Sequence, residues 1–112
     1  RPIWVQLTEQ LTERIVSDVY PAGSRLPSVR ELAAQAGVNP NTMQRALSEL
    51  ENNGLAITSR TSGRVVTPDL AVIEKVRKNL AQKCIAKYLD GMAQLGYDEK
   101  EAVAFIAERE GN

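Results

Sequence analysis

The stretch Gly-Val-Asn-Pro that begins at Gly37 restricts the fold more than any other part of the sequence, because one helix must end and another begin within it. Gly37 suits the left-handed conformation that ends many helices. Asn39 is a preferred N-cap residue, and Pro40 fits the first position of a helix. Upstream, Ser28 and Glu31 have the spacing of a capping box, which marks the start of the preceding helix. The sequence therefore predicts two helices joined by a very short turn.

Further helical and strand patterns flank this pair of helices. Between residues 3 and 20, apolar side chains recur every three or four positions and predict a first helix with one apolar face. The residues of that face are Trp4, Leu7, Leu11, Ile15 and Val19. After Gly54, the pattern predicts a strand over residues 55–60, a Thr-Ser-Gly turn and a returning strand RVVT. The two strands form a short β-hairpin with an arginine on each side of its tip.

Residues 69–112 have the pattern of a long helix followed by a short one. An apolar stripe runs along the long helix and consists of Leu70, Ile73, Val76, Leu80, Cys84, Tyr88, Met92 and Leu95. Gly96 ends this helix, and Asp98 with Glu101 forms a capping box that begins the last one. The residues that we expect the last helix to turn inward are Val103, Ile106 and Ala107.

The composition excludes several classes of function. The chain has no histidine, which removes the commonest general base and the commonest metal ligand. A single cysteine, Cys84, excludes an internal disulfide, and its apolar helical neighbours predict a buried side chain. The sequence also lacks a glycine-rich phosphate loop. We therefore expect no enzyme activity, no catalytic residues, no metal and no cofactor.

The sequence also predicts where the protein works. No apolar run approaches the ~20 residues of a membrane span, and no signal-peptide pattern opens the chain. We expect a cytoplasmic bacterial protein that does not bind membranes. Because the sequence opens with Arg1-Pro2 rather than Met, we also expect a short N-terminal piece to precede it.

The order helix, tight turn, helix and hairpin is that of a winged helix-turn-helix, in which the hairpin is called the wing. In such a fold the second helix of the motif, called the recognition helix, enters the DNA major groove by its N-terminal end. Here that end carries amide, hydroxyl and guanidinium groups on Asn41, Thr42, Gln44 and Arg45. Asn and Gln suit adenine edges, and Arg suits guanine. Residues 1–68 also contain seven Arg and no Lys, and Arg favours bidentate contacts to phosphates. The pattern predicts sequence-specific binding to double-stranded DNA.

Several family motifs occur together from Pro21 to Val66, in the stretch PAGSRLPSVRELAAQAGVNPNTMQRALSELENNGLAITSRTSGRVV. They are Leu-Pro-Ser-x-Arg-Glu-Leu, the Gly-Val turn, the Ala-Leu-x-x-Leu run, the Gly-Leu pair and the glycine of the wing. Together they resemble the GntR family of bacterial transcriptional regulators. The VNPNT version and the small two-helix C-terminal part resemble its YtrA subgroup. The resemblance implies a repressor that occludes an operator, and transporter operons are the expected targets.

The resemblance implies DNA contacts at three places. At the start of the second helix, Arg30 would contact a phosphate or a base near the groove edge, and Ser28 would contact a phosphate. The recognition-helix positions are Asn39, Asn41, Thr42, Gln44 and Arg45. The wing positions are Arg60, Thr61, Gly63 and Arg64, where the glycine allows close approach to the minor groove. Many family members have Arg where this chain has Pro40, so a base contact by that residue is lost here.

The predicted fold class is therefore mainly α with a small β-hairpin, in two parts. Residues 1–67 would form the winged helix-turn-helix domain, and residues 68–112 a helical dimerisation region. Two helices rarely bury enough surface to be stable alone, so two chains are expected to pack them around a two-fold axis. The alternative is that they fold back on their own winged domain. The expected dimer interface consists of Leu70, Ile73, Val76, Leu80, Cys84, Tyr88 and Met92.

Two further questions stay open at the level of sequence. The chain could be a winged-helix protein-interaction module without sequence-specific DNA binding, which would show no sequence preference in a gel shift. As a regulator, it could be switched by an unidentified small-molecule effector in the C-terminal part, or controlled by its own abundance alone. Two helices leave little room for a pocket, although a dimer interface could form one.

Overall fold

The computed structural model describes residues 1–109, which form five helices and one two-stranded hairpin. In chain order the elements are α1 (Ile3–Val16), α2 (Val29–Ala36), α3 (Pro40–Asn52), β1 (Ala56–Ser59), β2 (Gly63–Val66), α4 (Leu70–Gln94) and α5 (Glu99–Ala107). This order confirms the predicted fold class. The chain divides into two compact units, of which the first is Arg1–Val76 and the second begins at Arg77, so the division falls within α4.

The break between α2 and α3 forms as the sequence predicts. Ser28 caps α2 in a reciprocal capping box with Glu31. Gly37 ends that helix with a φ of +67°, a conformation that L side chains rarely adopt. The side chain of Asn39 caps α3, and Pro40 occupies its first turn. The two helices of the motif are therefore held in place by local hydrogen bonds at both sides of the turn.

The first helix is shorter than the sequence predicts. It ends at Val16, because Asp18 takes a φ of +71° and turns the chain away. The N–H groups of Val19 and Tyr20 then both donate to the carbonyl of Arg14, at 2.8 and 3.0 Å. Val19 is 61% exposed, so its predicted place on the apolar face of the helix is wrong.

A single hydrophobic core holds the first unit together. Its members come from all three helices, the hairpin and the loops beside it: Leu7, Leu11, Ile15, Leu26, Leu32, Ala33, Met43, Ala46, Leu47, Leu50, Leu55, Ala56 and Val66. The start of α4 belongs to the same packing, because Val72, Ile73 and Val76 lie partly buried against this core. Burying such side chains stabilises a fold by about 1.5–3 kcal/mol each.

The hairpin gains a third segment that the sequence did not indicate. Strands β1 and β2 pair antiparallel, with Thr58 opposite Arg64. The loop before α2 lies along β2, where Leu26 N–H donates to the Arg64 carbonyl at 2.9 Å and Val66 N–H donates to the Ser24 carbonyl at 2.8 Å. These bonds satisfy backbone groups of the strand edge and tie the wing to the rest of the unit.

The second unit is organised around the end of α4 and the helix α5. The hydroxyl of Tyr88 donates to the carbonyl of Ala102 at 2.6 Å, and Ala102 is fully buried. Tyr97 and Phe105 pack edge to face, with ring centroids 4.8 Å apart. Asp98 forms the predicted capping box with Glu101.

Two predictions about the C-terminal part are wrong within the single chain. Val103 and Ile106 are 57% and 56% exposed, and Ala107 is exposed as well, because Ala102 is the residue that α5 turns inward. The six consecutive apolar residues AVAFIA do not specify which face of the helix is buried. Cys84 is exposed rather than buried, and no other residue of α4 is fully buried either. Within residues 1–109, no helix is both long and apolar enough to cross a membrane.

Candidate nucleic-acid interface

The N-terminal half of α3 presents polar side chains to solvent. Asn41, Gln44 and Arg45 are exposed and Thr42 is partly buried. The opposite side of the helix carries Met43, Ala46, Leu47 and Leu50, all at most 2% exposed. Because the buried residues fix the rotation of the helix, the polar residues keep a defined direction. The structure therefore brings together the recognition-helix residues that the sequence predicted.

Two of the predicted contact residues also serve as helix caps. The Asn39 side-chain oxygen accepts the N–H of Asn41 at 2.7 Å, and the Ser28 hydroxyl accepts the N–H of Glu31 at 3.1 Å. An amide group can still donate through its NH₂, and a hydroxyl can still donate its proton. Both residues can therefore act as donors toward a phosphate while they continue to hold their helices.

Gln44 has a polar neighbour on its own helix. Its side-chain amide donates to the hydroxyl of Ser48 at 3.4 Å, one helical turn further on. Ser48 is partly exposed, so the polar surface of α3 extends past its first turns. The four-residue spacing between these side chains would have indicated the pair, because such residues lie on one helix face.

Arg45 lies against an aromatic ring from a different helix. Its guanidinium carbon is 4.4 Å from the centroid of the Trp4 ring, which belongs to the first turn of α1. A cation over the face of an indole is attracted by the negative potential of the ring. The two residues are far apart in sequence, so no local pattern could have indicated this contact.

A carboxylate connects the end of α3 to the wing. Glu51 accepts a hydrogen bond from the Thr58 hydroxyl at 2.5 Å and from Arg64 Nε at 2.6 Å. The Thr58 hydroxyl, together with the ion pair to Arg64, holds the pKa of Glu51 below its ordinary value, against the opposing effect of burial. Arg64 is thus engaged with a carboxylate of its own chain, and its side chain is only 17% exposed.

The tip of the wing carries exposed side chains, unlike its base, where Arg64 is paired with Glu51. Arg60 and Thr61 are exposed in the turn between the strands, and the following Gly63 has a φ of +73°. The turn is braced by the Ser62 N–H, which donates to the Ser59 hydroxyl at 3.3 Å. A side chain at Gly63 would meet open space, so the glycine is required by its backbone conformation rather than by crowding.

Further arginines stand on the elements next to α3 and the wing. Arg30, which the sequence predicted, is exposed in the first turn of α2. Arg25, for which the sequence predicts no contact, is exposed in the segment that pairs with Val65 of β2. In the described part of the chain, no group of three or more Cys, Asp or Glu side chains could hold a metal ion.

The residues of the expected dimer interface fall into three groups. Ile73 and Val76 pack against the core of the first unit, and Tyr88 is bonded to α5. Leu80 and Met92 are partly buried. Leu70, at 69%, and Cys84 are exposed. Other apolar side chains of the second unit are also exposed, namely Ile85, Leu95, Val103, Phe105 and Ile106.

A tight helical turn, a second helix with an exposed polar start and an adjoining hairpin define a winged helix-turn-helix protein of the kind that binds DNA. Comparison with known sequences agrees with this class. The chain belongs to the GntR family, because the model of the "Bacterial regulatory proteins, gntR family" matches residues 5–66. It is thus a transcriptional regulator with a DNA-binding helix-turn-helix, and its relatives are regulators rather than enzymes.

Two relatives from Bacillus subtilis (strain 168) illustrate the similarity. The uncharacterized HTH-type transcriptional regulator YhcF is 34% identical over 106 residues, which cover 95% of this chain and 88% of that protein. The HTH-type transcriptional repressor YtrA is 39% identical over 66 residues, which cover 59% of this chain and 51% of that protein. Among solved structures, a GntR family transcriptional regulator from Listeria monocytogenes matches with a TM-score of 0.87 and 34% identity, over 96% of this chain and 95% of that one.

Proposed function

We propose that this chain is a transcriptional repressor that binds a palindromic operator as a homodimer. The observation that carries the proposal is the exposed N-terminal end of α3, where Asn41 and Gln44 present amide groups to solvent. Amide side chains can bond adenine through two hydrogen bonds in the major groove. The similarity to a protein named a repressor supports the direction of regulation. Because bacterial DNA lies in the cytoplasm, the proposed function also implies a cytoplasmic protein.

In the proposed complex, α3 enters the major groove by its N-terminal end. Thr42 and Arg45 accompany the two amides there, and the positive end of the helix dipole faces a phosphate. At the start of α2, Arg30 contacts a phosphate or a base near the groove edge, and Ser28 contacts a phosphate. Asn39, the N-cap of α3, contacts the DNA together with the recognition-helix residues. The wing reaches the minor groove or the backbone through Arg60, Thr61 and Gly63. Arg64, which is tied to Glu51, supports the wing and adds charge near its base.

The homodimer is proposed to form through the C-terminal helices. Exposed apolar side chains of the second unit, such as Ile85 at 51% and Phe105 at 42%, support a surface that another chain covers. Leu80 and Cys84 of the predicted stripe would extend it. Residues 1–67 are then the DNA-binding domain and residues 68–112 the dimerisation region. Two recognition helices would read half-sites about one helical turn, ~34 Å, apart or a multiple of it.

Selection from a random duplex library tests the proposal directly. The wild-type chain should enrich a palindromic sequence, and mapping of bound DNA across the genome should place that sequence at promoters. Footprinting should then protect two half-sites on one face of the duplex. If the chain binds selected and random duplexes equally well, the repressor assignment is wrong, and a winged-helix protein-interaction module becomes the better description.

A further inference from the structure

We propose that Trp4 is a positioning residue that holds the Arg45 side chain in a fixed orientation for DNA contact. The proposal rests on the proposed function, because it concerns how the same surface reaches DNA. The key observation is the guanidinium carbon of Arg45, 4.4 Å from the centroid of the Trp4 ring. Arg45 is exposed on α3, whereas Trp4 lies partly buried in the first turn of α1.

The backbone of Trp4 is connected to α3 through the side chain of Thr8. The hydroxyl of Thr8 donates to the carbonyl of Trp4 at 2.8 Å and also lies 3.4 Å from the carbonyl of Ala46, the residue after Arg45. Thr8 is only 7% exposed, so this bond and the contact with Ala46 lie in a well-packed part of the unit. The backbone that carries the indole is therefore fixed relative to the backbone that carries the guanidinium.

This arrangement leaves the charge of Arg45 available. The indole ring is neutral, so it orients the guanidinium without cancelling its charge, and the N–H groups at the rim of the guanidinium can bond other partners. Arg64 provides the contrast within the same unit, because its Nε is paired with the Glu51 carboxylate at 2.6 Å. Ordering a long side chain before binding lowers the entropy that is lost when the complex forms.

A double-mutant cycle on the full chain tests this role. The probe is the duplex selected with the wild-type chain, and the variants are Trp4→Leu, Arg45→Ala and the two combined. Trp4→Leu keeps an apolar side chain but removes the ring. It should weaken binding about two- to five-fold, which corresponds to a cation–π contact at an exposed site. With Arg45→Ala already present, Trp4→Leu should have no further effect.

Trp4→Phe is the matched control, because it keeps an aromatic face of lower cation affinity and should recover part of the lost binding. The salt dependence separates positioning from charge. Arg45→Ala should lower the slope of log affinity against log salt by up to about one unit, and Trp4→Leu should leave it unchanged because no charge is removed. Circular dichroism and thermal unfolding check that each variant is folded.

Two outcomes would overturn the proposal while leaving the proposed function intact. One is an equal loss from Trp4→Leu with and without Arg45, which would mean that the indole only stabilises α1. The other is a Trp4→Phe variant that binds no better than Trp4→Leu. A wild-type chain that enriches no sequence would instead refute the proposed function, and the role of Trp4 would fall with it.

Discussion

At the scale of single residues, Glu51 connects three elements of the first unit. It accepts bonds from Thr58 of β1 and Arg64 of β2, while its backbone belongs to α3. One carboxylate therefore links the recognition helix to both strands of the wing. In the proposed complex, the angle between α3 and the wing determines whether both reach the DNA, so we expect this link to affect binding as well as stability.

The first prediction concerns Glu51→Gln and its dependence on pH. Because the pKa of Glu51 in the folded chain is lower than its ordinary value of 4.5, the ionised carboxylate stabilises the fold above that pH. The contribution is lost as the pH falls through the lowered pKa. At neutral pH the substitution should reduce the free energy of unfolding by about 1 kcal/mol, since a partly exposed ion pair is screened. Below pH 4.5 the difference from wild type should shrink.

Urea unfolding of both chains across this pH range measures the effect. Glu13→Gln, which changes an exposed carboxylate of α1, is the matched control and should follow wild type. A constant difference between Glu51→Gln and wild type at all pH values would show that the carboxylate charge does not stabilise the wing.

The second prediction concerns base recognition by Gln44, which is exposed on α3. Gln44→Ala should cost about 1–3 kcal/mol on the selected duplex and relax the preference at one base pair. Affinity for random DNA should change little, because an amide side chain carries no charge. Gln10→Ala, at an exposed position of α1, serves as the control. Equal losses on selected and random duplexes would contradict a role in base readout.

At the scale of elements, the sequence predicts best what is fixed locally. The caps of α2, α3 and α5 involve residues two or three positions apart, and all three form as predicted. Contacts across the fold leave no such signal. The pairing of Arg25 with Val65 and the contact of Arg45 with Trp4 bring together residues 40 or more positions apart. The sequence therefore predicts which residues lie on α3, but not how their side chains are held.

The end of α1 shows that the sequence does not fully predict where a helix ends. Val19 continues the apolar spacing of the helix, and Tyr20-Pro21 is the stronger stop signal in the sequence. The chain nevertheless leaves the helix at Ser17, because Asp18 adopts positive φ without being a glycine. Asp tolerates this conformation better than most residues, but its presence alone does not predict it.

The third prediction separates the two arginines of the wing. Arg60 is exposed in the turn, whereas Arg64 is 17% exposed and paired with Glu51. Arg60→Ala should weaken binding to all duplexes and lower the salt slope by about one unit, as expected for one phosphate contact. Arg64→Ala should have a smaller effect on the slope and should reduce the free energy of unfolding.

The two roles are distinguished by measuring the DNA affinity of both variants at several salt concentrations. Thermal unfolding of the same variants is measured in parallel. Thr61→Ala changes the same turn without removing a charge and is the control for the slope. An unchanged slope in Arg60→Ala would mean that the wing tip does not touch DNA. A full unit of slope lost in Arg64→Ala would mean that Arg64 leaves Glu51 to bind a phosphate.

At the scale of the whole molecule, the apolar stripe of α4 has more than one role. Its first part, at Ile73 and Val76, packs against the core of the first unit, and Tyr88 bonds to α5. The sequence predicts the apolar stripe, but it does not predict which of its residues pack within the chain. Exposed apolar side chains beside the stripe, such as Ile85 at 51%, are then better probes of assembly.

The last prediction is that Ile85→Asp converts a dimer into a monomer. In the single chain the Ile85 side chain is 51% exposed, so the substitution should leave the chain folded. In a dimer interface it would bury an unpaired carboxylate, which proteins tolerate poorly. Leu80→Asp should act in the same direction, although its partly buried side chain makes some loss of stability expected as well.

Sedimentation velocity measures the oligomeric state of the variant, and titration of the selected duplex measures its DNA affinity. The Ile85→Asp chain should sediment as a monomer, and its affinity should fall toward that for a single half-site, because the second recognition helix is no longer tethered to the first. Val19→Asp introduces the same charge at a position of the first unit that is 61% exposed, and it should remain a dimer. If Ile85→Asp also remains a dimer with normal affinity, the two chains must meet elsewhere, and the spacing of the half-sites has to be explained by another interface.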